Sequence, residues 1–211
     1  MGVTNKFLNQ WRKPSGKLGK VLAWALNVSH SKGARWGLQH IHLEKNFSIL
    51  DVGCGGGEFV HQLAGIVSEG KVYGIDYSAE CVAVSHRTNR LWIKTGHAQI
   101  LQGSVSSLPF PNQMFDLITA VNSHYYWPDL GSNMLEVLRI LKPGGHLVLI
   151  GESYKGGKYE ERDRKFVELV HLAYYSLNEL RELFLRTGYS DVQMFEKYDK
   201  GWICGIGRKP L

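Results

Sequence analysis

Apolar and polar positions along the chain change period several times, and the changes mark out the elements. Leu18, Val21, Leu22 and Ala25 recur at i, i+3, i+4 and i+7, one face of a helix. Residues 31–41 read as a second short helix, so 1–45 is expected to form a helical cap and 46–211 the main domain. From residue 48 strands and helices alternate. Strands are expected at 48–52, 71–76, 98–102, 115–121, 146–152, 192–198 and 202–207. Helices are expected at 57–64, from an N-cap at Ser78 toward Trp92, and over the face marked by Leu130, Met134, Leu138 and Leu141. The last of these should stop at Lys142-Pro-Gly-Gly145. Ser176-Leu-Asn-Glu179 is a capping-box pattern opening a helix that ends at Gly188. Asp199-Lys-Gly201 reads as a hairpin turn.

Strands that alternate with helices imply a mainly parallel sheet covered on both faces, α/β in class, with a closing hairpin that adds one antiparallel strand at an edge. In such a sheet a ligand sits at the switch point of the strand order. The chemistry of the chain should therefore lie in the turns that leave the C-terminal ends of the first, second and fourth strands.

The first of those turns is Asp51-Val-Gly-Cys-Gly-Gly-Gly57. Gly53, Gly55 and Gly57 suit a tight bend beneath a bound molecule, because glycine alone accepts positive φ freely and lets backbone approach a ligand. The spacing is not that of a dinucleotide site. Counting G-x-G-x-x-G from Gly53, the last glycine falls at Glu58. Asp51 at the strand end repels phosphate and suits an ammonium or sulfonium ligand; the competing reading is a cap for the turn. Asp76 ends the second strand about 20 residues later, where a carboxylate accepts hydrogen bonds from ribose hydroxyls; it also reads as a helix cap. Tyr77 is either a partner for an adenine face or a surface tyrosine. Cys54 is a small filler inside the turn.

At this point the chain resembles the class I S-adenosylmethionine-dependent methyltransferases, in particular the small type 11 methyltransferase domains. Four segments carry the resemblance in order: Ile49-Leu-Asp-Val-Gly-Cys-Gly-Gly-Gly57, Val72-Tyr-Gly-Ile-Asp-Tyr-Ser78, Gly103-Ser-Val-Ser-Ser-Leu-Pro-Phe110 and Leu138-Arg-Ile-Leu-Lys-Pro-Gly-Gly145. They span about half the chain. The resemblance implies a Rossmann-like, doubly wound seven-stranded sheet and S-adenosylmethionine as cofactor. It places Asp51 and the glycines, Gly53 and Gly55 among them, toward the methionine part, Asp76 at the ribose and Ser104 with Val105 at the adenine; Cys54 and Tyr77, inside and beside these segments, are further candidate cofactor contacts. Asn122 lies just past the fourth strand, at the meeting of cofactor and acceptor. One departure is visible. The family usually carries Asp where this chain has Ser104, a shorter and neutral group.

Asn122-Ser-His-Tyr-Tyr-Trp-Pro128 leaves the functional edge of the sheet and holds the candidates for the transfer step. His124 is the candidate base and Tyr125 a candidate catalytic neighbour. Tyr125, Tyr126 and Trp127 offer a π-rich wall for a sulfonium; the competing reading is a packed aromatic loop. The segment differs from the Asn-Pro-Pro-Tyr pattern of adenine N6 methyltransferases. By the resemblance, His30 and Trp36 belong to a lid over the cofactor. Residues 154–175 read as a substrate-side helix with a charged, solvated face.

Composition narrows the class without naming the acceptor. A chain of 211 residues that is 44% hydrophobic and 21% charged can bury a full core without disulfides. Its three cysteines are widely spaced, which excludes a disulfide framework and a zinc ribbon and points to a reducing, cytoplasmic setting. No His or Cys spacing suggests a metal, and the apolar run at 21–26 is too short to span a bilayer. A net charge of +6 and basic residues near the N-terminus leave RNA or protein as a second class of acceptor beside the expected small molecule. A non-catalytic cofactor-binding protein would keep the same sheet and turn. A nicotinamide oxidoreductase is disfavoured by Asp51 and Glu58.

Overall fold

The computed structural model describes residues 32–170 and 172–211. The expected first helix around Leu18–Ala25 and the candidate lid residue His30 lie outside the described residues, as does most of the expected cap. A helical segment at 32–38 leads into the sheet. The strands are β1 (Ser48–Val52), β2 (Lys71–Asp76), β3 (Ala98–Gln102), β4 (Phe115–Val121), β5 (Leu141–Gly151), β6 (Ser190–Lys197) and β7 (Trp202–Arg208). They form one seven-stranded sheet in the order β3-β2-β1-β4-β5-β7-β6. Neighbours from β3 to β5 pair in parallel. The closing hairpin supplies the one antiparallel strand, β7, inserted between β5 and the edge strand β6.

Alternation within the strands loads both faces. On one side Leu50, Val52, Ile118 and Leu149 pack under α4 (Leu130–Ile140) and α6 (Leu177–Arg186). On the other, Ile49, Leu117, Val148 and Ile150 pack under α1 (Glu58–Ile66). Strands buried on both faces read as apolar runs, which is why β1 and β4 were legible. Phe115 and Phe184 are among the largest fully buried side chains, each burial contributing about 2–3 kcal/mol. The 32–38 segment joins the α1 side. A Cβ on Gly37 would lie 2.4 Å from Ile150 Cδ1, so only glycine lets the helix come this close to β5.

Three local departures from the sequence reading have physical causes. The helix expected from Ser78 toward Trp92 is broken into α2 (Ala79–Thr88) and α3 (Arg90–Lys94). At the break the Asn89 side-chain amide donates to Gly57 O (2.9 Å) and Ser85 O (3.1 Å), tying the helices to the glycine turn. Strand β5 begins at Leu141, not after the glycines. Leu141 already pairs with Phe115, and the register slips between Phe115 and Leu117 to absorb the Pro-Gly-Gly. Between β5 and the last helix, only α5 (Glu160–Val170) of the expected 154–175 helix forms.

Caps hold the rest. Ser176 and Glu179 complete the expected capping box on α6. Lys209 Nζ donates to Leu138 O (2.7 Å) and Leu141 O (2.8 Å), satisfying carbonyls at the end of α4. Among the described residues, no helix is long and apolar enough to cross a membrane, and no group of three His, Cys, Asp or Glu side chains is placed to hold a metal.

Candidate functional site

The chain leaves β1 toward β2 and β3 on one side and returns to β4 on the other, so the switch point lies at the C-terminal ends of β1 and β4. The glycine turn sits there. Gly53, Gly55 and Gly57 have φ of 74°, 52° and 81°, a backbone region open to glycine and strained for other residues. Gly53 is fixed twice over. A Cβ there would lie 2.3 Å from Ser123 Cβ, and Ser123 is itself held because its hydroxyl donates to Val52 O.

Four of the turn's N–H groups are spent internally. Gly53 and Cys54 both donate to Ile75 O, at 2.8 and 3.1 Å, and Gly57 donates to Cys54 O at 2.9 Å. Gly55 donates to Asp76 Oδ2 at 2.9 Å. A phosphate cradle needs such donors turned outward. Glu58 adds a carboxylate in the first turn of α1. Carboxylates at this turn disfavour a pyrophosphate.

Its charged groups are two buried carboxylates. Asp51 is 2% exposed and pairs in register with Thr119 of β4, whose hydroxyl donates to Asp51 Oδ1 at 2.8 Å. Asp51 therefore bonds across the sheet and does not cap the turn. Burial raises its carboxyl to about 7 despite the Thr119 bond, with the charge of Asp76 adding to the rise. Asp76 ends β2, buried; Oδ1 accepts from Ser78 N at 2.9 Å. Burial raises its carboxyl too, opposed by the backbone bonds from Ser78 and Gly55. The helix-cap role belongs to Ser78, whose hydroxyl accepts from Cys81 N. Two buried carboxylates with no salt bridge to a described residue make a place for a cationic ligand.

The remaining predicted residues fall around this pair. The Cys54 side chain points away from the turn's mouth into the core, 3.9 Å from Ser85 Oγ, its thiol pushed well up by burial. Tyr77 is exposed at 41%, and its carbonyl accepts from Gln102 Nε2. Val105 is buried and anchors its loop in the core, while Ser104 is exposed and its hydroxyl accepts from Ser106 N at 3.2 Å. Asn122 has φ of 52°, which asparagine tolerates. Its N–H donates to Ile150 O and its Oδ1 accepts from Glu152 N at 2.9 Å, so it ties the end of β4 to that of β5.

The two candidates beyond Asn122 lie in the turn that follows β4. His124 starts a 3-10 turn (His124–Tyr126) and is 3% exposed. Burial lowers its pKa to about 3. A general base works best with a pKa near the operating pH, and burial draws this imidazole below that range. The Tyr125 hydroxyl donates to Ser153 O and accepts from Ser153 N, and burial raises its pKa. That phenol ties the 124–126 turn to the exit of β5. Its carbonyl accepts from Ala173 N at 2.9 Å, and Ser153 Oγ bonds Asp163 (2.7 Å) and Tyr174 (3.0 Å). Thr119, Ser123, Ser153 and Asp163 had no signal in the sequence. Each matters through a partner that only the fold brings near. Trp36 lies at the joint of the 32–38 helix and the hairpin, 5.9 Å from Trp202 between ring centroids.

A doubly wound sheet whose switch point carries this turn and these carboxylates is similar to that of the class I S-adenosylmethionine-dependent methyltransferases. Residues 50–149, just under half of the chain, match the Methyltransferase domain family. An uncharacterized methyltransferase of Bacillus subtilis, YdaC, is 25% identical over 83% of this chain and 91% of its own length. A demethylmenaquinone methyltransferase of Lactiplantibacillus plantarum is 30% identical over 59% of this chain, which spans 53% of that relative. In fold, the chain matches one from the complex of the Haloferax volcanii Trm112 methyltransferase activator with a methyltransferase, at TM-score 0.77 and 21% identity, covering 90% of this chain and 94% of that one.

Proposed function

We propose that the chain transfers the methyl group of S-adenosylmethionine to a small, neutral, ring-bearing molecule. The observation that carries the donor half of this reading is the turn itself. Four of its N–H groups, those of Gly53, Cys54, Gly55 and Gly57, are consumed inward while two carboxylates stand buried at the ends of β1 and β2. An anionic pyrophosphate would meet carboxylates and no free donors in those four residues; a sulfonium and an ammonium would meet opposite charge. The residues present fit the cofactor. Asp51 and the glycines would hold its methionine part, Asp76 its ribose, and the loop anchored by Val105 its adenine. When bound, S-adenosylmethionine supplies an electrophilic methyl on a charged sulfur.

The chain's own contribution is placement and exclusion of water. Asn122 fixes the exits of β4 and β5 against each other, and Tyr125 fixes the β5 exit against the 172–175 segment. With His124 held neutral by burial, the reading assigns it to the acceptor's position and not to proton removal. A small acceptor is supported by the relatives named demethylmenaquinone methyltransferases, of which this chain spans about half. It is also supported by the uncharged, aromatic surroundings of His124.

The test is substitution with direct binding. Asp76→Ala should weaken S-adenosylmethionine by roughly 1–3 kcal/mol, the scale of losing hydrogen bonds to a charged group. Unchanged affinity in calorimetry would remove Asp76 from the donor site.

A further inference from the structure

Behind the His124–Tyr126 turn lies a small, partly open recess walled by His124, Tyr125, Ser153, Tyr154, Tyr175 and Leu180. It begins one residue beyond Ser123, the residue packed on Gly53. It has room for about one water-sized group. Most polar groups around it are already committed. The Tyr125 hydroxyl is held by the Ser153 backbone. Tyr154 OH donates to Glu196 at 2.7 Å, and Ser153 Oγ is bonded to Asp163 and Tyr174. His124 differs. Its Nδ1 is buried and has no hydrogen-bond partner, an arrangement that native interiors avoid unless something fills it.

We propose that this recess anchors a hydroxyl group on a planar, uncharged methyl acceptor, with His124 Nδ1 as its hydrogen-bond partner. The proposal rests on the methyl-transfer reading of the neighbouring turn. A neutral imidazole carries one donor and one acceptor nitrogen. A hydroxyl both donates and accepts, so it satisfies Nδ1 in either tautomer. A carboxylate or an ammonium satisfies only one, and would bring its charge among tyrosines, a serine and aliphatic side chains that offer no counter-charge. The tyrosine-rich lining favours a ring behind the hydroxyl.

The experiment titrates the chain with 2-naphthol and with naphthalene, which has the same ring and no oxygen to pair in either tautomer. Binding is followed by ligand fluorescence, with and without S-adenosylhomocysteine. 2-Naphthol should bind roughly tenfold tighter or more, as a site built for a hydroxyl rejects the analogue that cannot pair. His124→Phe should abolish the discrimination while S-adenosylhomocysteine affinity holds. Ala173→Leu, which narrows the recess and leaves His124 in place, should weaken 2-naphthol as well, and covers the case in which the histidine variant fails to fold. Equal binding of the two probes, or discrimination that survives both substitutions, would overturn the proposal and leave a structural recess filled by water. Failure of S-adenosylhomocysteine to bind the unaltered chain would count against the methyltransferase reading instead, with the two probes still deciding the recess.

Discussion

The two sides of the site are built by different means. On the proposed donor side, at the ends of β1 and β2, the geometry is local: three positive-φ glycines and two strand-end carboxylates within 26 residues, from Asp51 to Asp76. On the acceptor side, past β4 and β5, it is assembled from side-chain bonds between distant segments. Tyr125 reaches Ser153 across 28 residues, and Asn122 reaches Glu152 across 30. Backbone conformation at a strand end is dictated by residue type, so the donor side tolerates little change. A web of side-chain bonds can be rebuilt with different partners, so the acceptor side is where one fold diverges toward different molecules.

The sharpest way to break the donor side is Gly53→Ala. Its Cβ would meet Ser123 Cβ at 2.3 Å with φ at 74°. We expect a loss of about 3 kcal/mol or more in chemical denaturation, together with loss of S-adenosylmethionine binding. Adding Ser123→Gly should restore the steric part and leave about 1–2 kcal/mol of left-handed backbone penalty. Strictly additive losses would mean that the contact with Ser123 is not what fixes the turn.

Asp51→Asn separates ligand binding from stability. In the folded chain Asp51 titrates at about 7, whereas an unfolded aspartate titrates near ~3.9. Between those values the folded chain binds the extra proton, so stability falls as pH rises through that window. Asparagine keeps the Thr119 bond and removes the slope. The variant should melt higher at pH 7.5, by an amount on the order of a few kcal/mol, with less gain at pH 5, and should bind S-adenosylmethionine more weakly. A melting curve whose pH slope matches the parent would show that Asp51 is ionised and solvated.

Tyr125→Phe is the corresponding cut on the acceptor side and should be milder. Leaving the Ser153 backbone without its partner should cost about 1–2 kcal/mol and speed hydrogen exchange in α5. Donor affinity should stay within about twofold, as expected for separated sites. Equal damage to donor binding would merge the two sides into one unit.

The same contrast explains what could be read from the sequence. The bounds of β1 to β4 followed from apolar positions, the first three strands ending at a glycine or a carboxylate. The Ser176–Glu179 cap followed from a pattern four residues long, and the glycine turn and Asp76 from residue type and spacing. Thr119 was silent because its role depends on lying opposite Asp51 in the β1–β4 register. The break at Asn89 was silent because its cause is the carbonyl of Gly57, 32 residues away. His124 was visible as a histidine at the right edge of the sheet. Its burial, which lowers its basicity and redirects its role, depends on α6 and β7 closing over it. Proximity at the sheet edge was legible; the electrostatic environment of each group was not.

The measurement that tests the central claim most directly is calorimetric titration of the chain with S-adenosylmethionine, S-adenosylhomocysteine and NADH in parallel. A turn with four N–H groups spent inward and whose charges are carboxylates should bind the first two and leave NADH unbound. Binding of NADH, with no binding of S-adenosylmethionine or S-adenosylhomocysteine, would contradict the account and make the glycine turn a pyrophosphate site.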